Sequence, residues 1–398
     1  MNFNYDIIRE KFGEDAVSAA KELNSMYTEA MYEWIASMWD GETGAFYYST
    51  SARDNAQFFP DSESTTQSIG LLHTLGLTAD EIKSLPEGFR EKVGKYAYEM
   101  QDEDGYFYHH VWGKDISPSR RGRNLGQCSW LVKCVWGKET KYPTAIENLK
   151  NNAEDKAVDK EAIPEHLRSE AAFRKYLDEL DLNTKSYPKG HYLSSQAGEI
   201  IAAGFRDICV EYIKSKQNLK NGTWEEEINY GSISGVTKVG AALFAFNEPI
   251  PNANLAFRSA LQVALSDVAC TGGITEVFNP IGTMEQMLND FKKMGMDEDY
   301  ESAKKLLTDN AAEFIAITAK KLRPFYRAHE GAFSYCPGCS SSWSQGKVVC
   351  LGLDEADVNA TSLSVGTRRR VFDMLGLSMG KPFDESDGKR FFEMIGEK

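Results

Sequence analysis

The spacing of hydrophobic residues along the chain is typical of α-helices. Three stripes have this spacing: Val93, Tyr96, Ala97 and Met100; Leu125, Cys128, Val132 and Val135; and Ala197, Ile201, Phe205, Ile208 and Tyr212. Residues three and four positions apart lie on one face of a helix and pack against a neighbouring helix. No comparable alternating pattern predicts strands. We therefore predict an all-α protein, in which the third stripe forms one long helix.

Glycine–aromatic segments recur between the helical stretches. Four of them share a glycine with an aromatic residue two positions later: Gly44 and Phe46, Gly105 and Phe107, Gly222 and Trp224, and Gly331 and Phe333. Glycine at a helix end adopts the left-handed conformation that stops the helix, and the aromatic residue covers that end. A recurring helix pair buries its apolar face by stacking on the next pair. Several such pairs close into a ring.

The two ends of the chain repeat one pattern. Asp61 and Thr65 lead to a Leu-Gly-Leu at Gly76, and Asp357 and Thr361 lead to the same triplet at Gly376. The two spacings differ by about one helical turn, so the same helix face is kept. We therefore expect the first and last repeats to be neighbours in a closed ring.

One segment breaks this rhythm. The segment of about residues 139–190 is rich in charged residues and contains Pro143, Pro164 and Pro188. We interpret this segment as a partly helical insertion over one rim of the ring. The chain, residues 1–398, is otherwise expected to form a single domain.

The repeat resembles that of a known superfamily. Gln101, Gly105 and Phe107 match the Q-x-x-x-G-x-W repeat of squalene cyclases and related proteins, and Gln217 and Trp224 bound a version one residue longer. The superfamily comprises terpenoid cyclases and protein prenyltransferases. The resemblance implies an α/α toroid, which is a ring of helix pairs around a central cavity.

The activity motifs of that superfamily are not matched. Asp354 and Asp357 flank Glu355 and Ala356, which departs from the D-x-D-D motif of the cyclases. No D-x-C precedes a histidine suitable for the zinc site of the prenyltransferases. The α/α toroid is also the fold of many polysaccharide lyases and glycoside hydrolases, so fold alone does not select an activity.

Composition excludes several partners. The chain has 45 Lys+Arg against 59 Asp+Glu and a formal net charge of -14, which disfavours nucleic acid and anionic membranes. No apolar run approaches the roughly 20 residues of a membrane span. The 7 cysteines are odd in number and scattered, which fits a reducing compartment better than a disulfide framework. We expect a cytoplasmic protein.

The first candidate site is a pair of carboxylates, Asp61 and Glu63, at a predicted helix start. Paired carboxylates suit general acid–base catalysis in glycoside hydrolysis. The alternative interpretation is a helix cap with a solvated glutamate.

The second candidate site is an aromatic and basic loop. It contains Tyr106, Tyr108, His109, Trp112, Arg120, Arg121 and Arg123. Tyr106 or His109 would transfer a proton, while Arg123 would neutralise a uronate carboxylate, as a lyase requires. The same arginines also suit a diphosphate or a phosphorylated sugar, or pairing with the acidic surface. Tyr108, Trp112, Arg121 and Arg123, together with Trp224, are assigned to substrate binding.

The third candidate is Cys336 with Cys339. One C-x-x-C is half of a zinc site, and Cys350 with His329 would complete four ligands. A redox pair is a second interpretation, and a tight turn is the third. Because no second ligand pair is present, we predict that these cysteines bind no metal.

The fourth candidate is the last repeat, where Asp357 is the proposed catalytic residue beside Asp354 and Glu355. In a closed ring these carboxylates would lie beside Asp61 and Glu63. Crowded carboxylates raise one another's pKa, which keeps a general acid protonated near neutral pH. Independent helix caps are the alternative.

These observations favour a carbohydrate-active enzyme, either a glycoside hydrolase or a polysaccharide lyase. It would act on an oligosaccharide or small-molecule substrate in the toroid cavity, without a cofactor. The alternatives are a relative of the terpenoid cyclases and prenyltransferases, and a non-catalytic ligand-binding toroid. A cavity that holds Asp61, Glu63, Tyr106 and Arg123 favours glycan chemistry, whereas an apolar cavity favours isoprenoids.

Overall fold

The computed structural model describes residues 3–79, 82–145, 147, 163–377 and 379–397. It is 60% helix and 5% strand, so the predicted all-α class is confirmed. No helix within the described ranges is long and apolar enough to cross a membrane. The predicted insertion is described only in part, since residues 148–162 lie outside these ranges.

The helices are numbered here in chain order. They are α1 Asp6–Asn24, α2 Glu29–Ser37, α3 Thr50–Arg53, α4 Ser62–Leu75, α5 Glu87–Glu99, α6 Pro118–Trp130, α7 Glu170–Leu180, α8 Ser186–Ser195, α9 Ala197–Ala202, α10 Arg206–Ser215, α11 Tyr230–Ala245, α12 Ala253–Ala264, α13 Thr275–Lys293, α14 Asp297–Asp309, α15 Ala311–Leu322, α16 Val358–Met374 and α17 Glu385–Met394. A π-helix, Leu131–Trp136, continues α6. Short 3-10 helices span Ile82–Ser84, Glu165–Leu167 and Arg323–Phe325.

The strands form short antiparallel hairpins. They pair β1 Trp39–Asp40 with β2 Ala45–Phe46, β3 Tyr326–Arg327 with β4 Ala332–Phe333, and β5 Trp343–Ser344 with β6 Lys347–Val348. The first two hairpins have the same register, with the aromatic residue that starts each hairpin opposite its final phenylalanine. Both are therefore versions of one repeated turn.

Helix boundaries follow from local chemistry. The Ser117 side chain caps α6 by accepting a hydrogen bond from the Arg120 backbone N–H, and Pro118 occupies the first turn, where no N–H is needed. Helix α4 ends at Gly76, whose φ of 92° is the left-handed conformation that favours glycine.

The third hydrophobic stripe is not one helix, so this prediction was wrong. Helix α9 ends at Ala202 and α10 begins at Arg206, with Gly204 between them at a φ of 82°. The apolar spacing continues across the break because both helices face the same core. Spacing alone therefore did not reveal that the glycine changes the direction of the chain.

Six helices, called here the core helices, contact one another in a closed order. Helix α4 contacts α6, α6 contacts α8, α8 contacts α11, α11 contacts α13, α13 contacts α16, and α16 contacts α4. The close approach of neighbouring core helices depends on glycine, which has no side chain. A Cβ at Gly122 on α6 would lie 2.4 Å from the Ser195 carbonyl oxygen, and one at Gly235 on α11 would lie 1.7 Å from the Ser186 hydroxyl.

The repeated glycine turns also contact successive parts of the chain. A Cβ at Gly44 would lie 2.6 Å from the Lys92 carbonyl oxygen on α5. At Gly331, in the last repeat, it would lie 2.4 Å from the Ala30 Cβ on α2. The last turn therefore packs against a helix of the first repeat.

The repeat glutamines have equivalent roles. Gln101 Nε2 donates to the Gly105 carbonyl oxygen at 3.0 Å and to that of Tyr142 at 2.8 Å. Gln217 Nε2 donates to the Gly222 carbonyl oxygen at 2.9 Å and to that of Pro251. Each glutamine fixes its own turn and joins it to a later segment.

The first and last repeats are neighbours, as the sequence predicted. Helices α4 and α16 are in contact. The Val358 backbone N–H donates to the Tyr48 carbonyl oxygen at 2.9 Å, and Ser49 forms a β-bridge with Asp357.

Candidate functional site

Asp61 lies at the start of α4 and is buried. Its carboxylate accepts hydrogen bonds from the backbone N–H groups of Glu63 at 2.9 Å and Ser64 at 3.1 Å, and from the Ser64 hydroxyl at 2.7 Å. The capping interpretation is therefore confirmed for this residue. Burial raises the pKa of Asp61, although the charge of Arg120, whose Nη2 lies 3.6 Å away, opposes the shift.

Glu63 follows on the first turn of α4 and is also buried. Its Oε2 lies 3.2 Å from Arg120 Nη1 and accepts from the Ser344 hydroxyl at 3.0 Å, while Oε1 pairs with Arg123. Burial alone would raise the pKa of Glu63. The two arginine charges and the serine hydrogen bond outweigh burial and lower it. Glu63 is therefore an ionised anchor for two arginines.

Arg120 is the centre of this ion-pair cluster and is 1% exposed. Its guanidinium carbon lies 4.6 Å from the Trp112 ring centroid, which is cation–π distance. Trp112 therefore acts as packing behind the arginine. Within the described residues, Nε and Nη2 of Arg120 have no hydrogen-bond partner.

Helix α8 brings two further groups to Arg123. His191 Nε2 lies 2.6 Å from the buried Ser119 hydroxyl. Burial lowers the pKa of His191 to about 4, and the charges of Lys238 and Arg123 act in the same direction. Burial also raises the pKa of Tyr187, which keeps its phenol protonated. At neutral pH, the site thus offers a neutral imidazole and a protonated phenol.

Lys238 reaches the same place from α11. Its ammonium lies 5.5 Å from the Tyr187 ring centroid. Burial, together with the charge of Arg123 and against the opposing charge of Glu63, lowers the pKa of Lys238 to about 8. Lys238 is thus a further cation that acts on the Glu63–Arg123 pair.

The β5–β6 hairpin covers one side of the cluster. The Ser344 hydroxyl donates to Glu63, and its carbonyl oxygen accepts from Arg120 at 3.5 Å. Lys347 Nζ donates to the Asp115 carbonyl oxygen, which ties the hairpin to the loop before α6. Trp343 on this hairpin remains 61% exposed. The hairpin thus presents an aromatic surface beside the charged cluster.

Tyr106 and Arg121 form a separate cluster. The Tyr106 hydroxyl donates to Glu199, and the Arg121 guanidinium carbon lies 4.3 Å from the Tyr106 ring centroid. Burial and the Glu199 charge raise the pKa of Tyr106. Tyr108 donates to Asp104 at 2.9 Å. Both phenols are engaged by neighbouring carboxylates, not by the Glu63 cluster.

His109 supports the site from behind. Its ring lies 4.3 Å from the Trp112 ring centroid, and Nε2 lies 3.1 Å from the Pro60 carbonyl oxygen. Burial lowers the pKa of His109 to about 4. Because Trp112 separates it from Arg120, His109 is placed to support packing.

Trp224 lies in the core. It is fully buried, and its Nε1 donates to the Ile213 carbonyl oxygen at 2.9 Å. The equivalent aromatic residues of the other turns, Phe46, Phe107 and Phe333, are buried too. The repeat places this aromatic residue in the core, and the assignment of Trp224 to substrate binding stays a prediction.

Asp357 repeats the geometry of Asp61 without the arginines. Its carboxylate accepts from the backbone N–H groups of Ala360 at 2.7 Å and Tyr335 at 2.6 Å. Burial outweighs these hydrogen bonds and raises the pKa of Asp357 to about 7. Nearby Glu355 accepts from the hydroxyls of Ser49 at 3.0 Å and Ser340 at 2.8 Å. The Glu355 carboxylate thus joins the last repeat to the first.

Cys336 and Cys339 form a tight turn. The Cys336 backbone N–H donates to the Cys339 carbonyl oxygen at 3.0 Å, and the reverse bond is 3.3 Å. Both thiols are free, and burial raises the pKa of Cys336 to about 11. No group of three potential metal-binding side chains occurs within the described ranges. The absence of zinc stays a prediction.

A cavity of about 610 Å³ lies where α6 faces α8 and α9. Arg123 and Glu199 both line it, together with Gln127 and Ser195. The cavity therefore has one side chain from the Glu63 cluster and one from the Tyr106 cluster.

No protein-family model, curated protein or solved structure matches this chain. The chemistry of the site therefore rests on its own geometry.

Sequence reasoning missed Tyr187, His191 and Lys238. The first two lie four residues apart on α8, a spacing that places them on one helix face. This spacing was the signal in the sequence that could have identified Tyr187 and His191. Because Tyr187 falls inside the segment interpreted as an insertion, the spacing was not connected with Arg123.

Proposed function

We propose that the chain is a single α/α toroid, in which the core helices form the inner ring. The closed order of contacts from α4 through α16 and back to α4 supports this architecture. The contact between Gly331 and Ala30 supports closure on the outer side. The site then lies at the starts of inner helices, on one face of the ring.

We propose that the protein is a carbohydrate-active lyase that cleaves oligosaccharides containing uronic acids. The observation that carries this proposal is the packing of α8 on α6, the helix that carries Arg123: His191 contacts Ser119 of α6, and Tyr187 lies one turn before His191 on the same face of α8. Arg123 is a cation for the uronate carboxylate, and a neutralised carboxylate acidifies the adjacent C–H. His191 is neutral at pH 7 and can accept a proton, while Tyr187 retains one to donate.

The reaction would be a β-elimination. His191 takes the proton from the carbon beside the carboxylate, and that C–H electron pair becomes a carbon–carbon double bond. The bond from the next carbon to the glycosidic oxygen breaks, and the departing oxygen receives the proton of Tyr187. Ser119, 2.6 Å from His191 Nε2, would orient the imidazole ring.

A hydrolase is less well supported by the carboxylates. Glycoside hydrolysis needs one protonated carboxylic acid and a second carboxylate flanking the glycosidic bond. The lowered pKa of Glu63 keeps it ionised, and both of its oxygens bind arginines. One carboxylate oxygen of Asp61 and one of Asp357 cap helices. The second oxygen accepts from the Ser64 hydroxyl in Asp61 and from the Tyr335 backbone N–H in Asp357. A charged site also disfavours the isoprenoid alternative, which needs an apolar cavity.

The test uses the purified protein with two panels, uronate-containing oligosaccharides and neutral oligosaccharides. We expect a product that absorbs in the near ultraviolet, from the uronate panel only. New reducing ends without this absorbance would instead establish a hydrolase. Binding of oligosaccharides without any product would establish a non-catalytic toroid.

A further inference from the structure

Lys238 is a cation without a counter-ion. Within the ranges that the structure describes, its ammonium makes no ion pair or hydrogen bond and lies over the Tyr187 ring. Lysine carries three donors and no acceptor. The half-buried Lys238 has lost part of its hydration without gaining a hydrogen bond, so an anionic ligand would stabilise it.

The neighbouring charges do not compensate Lys238. Glu63 is the acidic group that acts on it, and Glu63 is already paired with Arg120 and Arg123. Asp61 lies beside Arg120. Two carboxylates, Asp61 and Glu63, thus accompany three cations, and one positive charge is left uncompensated.

Other hydrogen-bond donors at this place are also unused. The Tyr187 hydroxyl has no hydrogen-bond partner in the described part of the chain, and neither has Arg123 Nε. The close packing of α8 on α11 holds these groups together, since a Cβ at Gly190 would lie 3.1 Å from Lys238 Cβ. Helices α6, α8 and α11 thus each carry a donor without a hydrogen-bond partner, and α8 packs against both other helices.

We propose that Lys238 and Arg123 form a subsite for the oxyanion group of an acidic sugar, beside Tyr187. The group is a carboxylate or a sulfate ester, since both accept hydrogen bonds from ammonium and guanidinium donors. A lysine ammonium is a point charge that suits either geometry. This inference rests on the proposed carbohydrate site and names the substrate class it selects.

The test is calorimetric titration at pH 7 with glucuronate, a 6-sulfated monosaccharide and neutral glucose. The wild type is compared with Lys238→Met, Lys238→Arg and the exposed control Lys220→Met. We expect an acidic sugar to bind more tightly than glucose, and Lys238→Met to weaken it by about tenfold or more, the effect of one charged hydrogen bond. Lys238→Arg and Lys220→Met should retain binding. Which acidic sugar binds distinguishes carboxylate from sulfate.

Equal affinity for glucose and the acidic sugars would overturn the proposal, as would unchanged binding by a folded Lys238→Met variant. If that variant fails to fold, NMR of the wild-type Lys238 ammonium decides. A bound oxyanion should raise the pKa of Lys238, and an unchanged pKa under saturating sugar contradicts the subsite.

These outcomes separate the two proposals. Binding that depends on Lys238, without cleavage of any oligosaccharide, would leave the subsite standing and remove the lyase. Cleavage with an affinity that does not depend on Lys238 would do the reverse.

Discussion

Two aspartates cap helices in the same way near opposite ends of the chain. The Asp61 backbone N–H donates to the Phe46 carbonyl oxygen at 3.3 Å, and the Asp357 backbone N–H donates to the Phe333 carbonyl oxygen at 2.8 Å. In each repeat, a threonine one turn later accepts from the phenylalanine N–H, at 3.0 and 3.1 Å respectively. The first and last repeats therefore share one backbone arrangement.

The surroundings of the two caps differ in charge. Around Asp61 and Glu63, helix α6 contributes Arg120 and Arg123. Around Asp357 and Glu355, the partners are backbone N–H groups and serine hydroxyls. The capping aspartate is therefore part of the repeated fold. The charge around each cap is set by the side chains of the neighbouring elements.

The largest expected effect is on stability at Glu63. Glu63→Gln leaves Arg123 without its counter-charge and buried Arg120 with Asp61 alone, so we expect a loss of about 3–5 kcal/mol in the free energy of unfolding. Glu355→Gln, the matched change in the last repeat, weakens hydrogen bonds from uncharged donors and should cost about 1–3 kcal/mol. Urea denaturation measures both. Equal losses would contradict the difference between the two repeats.

The next effect is on catalysis at Arg123. Arg123→Gln removes the proposed charge for the uronate carboxylate, so we expect the rate of cleavage to fall by about 10²–10³-fold. Arg327→Gln is the control in the last repeat, where the arginine pairs with exposed Asp354. It should leave the rate near the wild-type value. A rate that is insensitive to Arg123 would remove this residue from the site.

The smallest effect is a difference in pH dependence. The pKa of Asp357 is raised to about 7, so the folded chain keeps a proton that the unfolded chain releases near pH 4. Its contribution therefore makes stability fall as pH rises from about 4 to about 7. Glu63, whose pKa is lowered, contributes in the opposite direction, and its stabilisation is lost on acidification.

Unfolding free energies of the wild type and Asp357→Asn, measured from pH 4 to pH 8, test this difference. The variant should lack the decline assigned to Asp357 while keeping the loss at low pH. Parallel pH profiles would show that Asp357 titrates normally.

The sequence predicted most of the helical framework because local rules govern it. Glycine turns, capping aspartates and apolar spacing are visible without tertiary contacts. The break at Gly204 was missed because both helices keep the same apolar period. The burial of Trp224 follows from the repeat, since the equivalent aromatic residues after the other glycine turns are buried too.

The candidate site was only partly accessible from the sequence. Glu63 was identified because it forms a carboxylate pair with Asp61, and Arg123 because it lies in a loop rich in aromatic and basic residues. Tyr187 and Lys238 come from different helices, and their closeness depends on the packing of α8 against α11 at Gly190. Such long-range proximity leaves no local pattern. His109, in contrast, was predicted to transfer a proton because it lies in the same loop, yet its ring packs against Trp112.

The most direct measurement is a crystal structure of His191→Ala with a bound uronate-containing tetrasaccharide, because loss of the proposed base should preserve the substrate. We expect one sugar carboxylate within hydrogen-bond distance of both Arg123 and Lys238, with the Tyr187 hydroxyl facing the glycosidic oxygen. A tetrasaccharide bound away from both cations would contradict the proposed site.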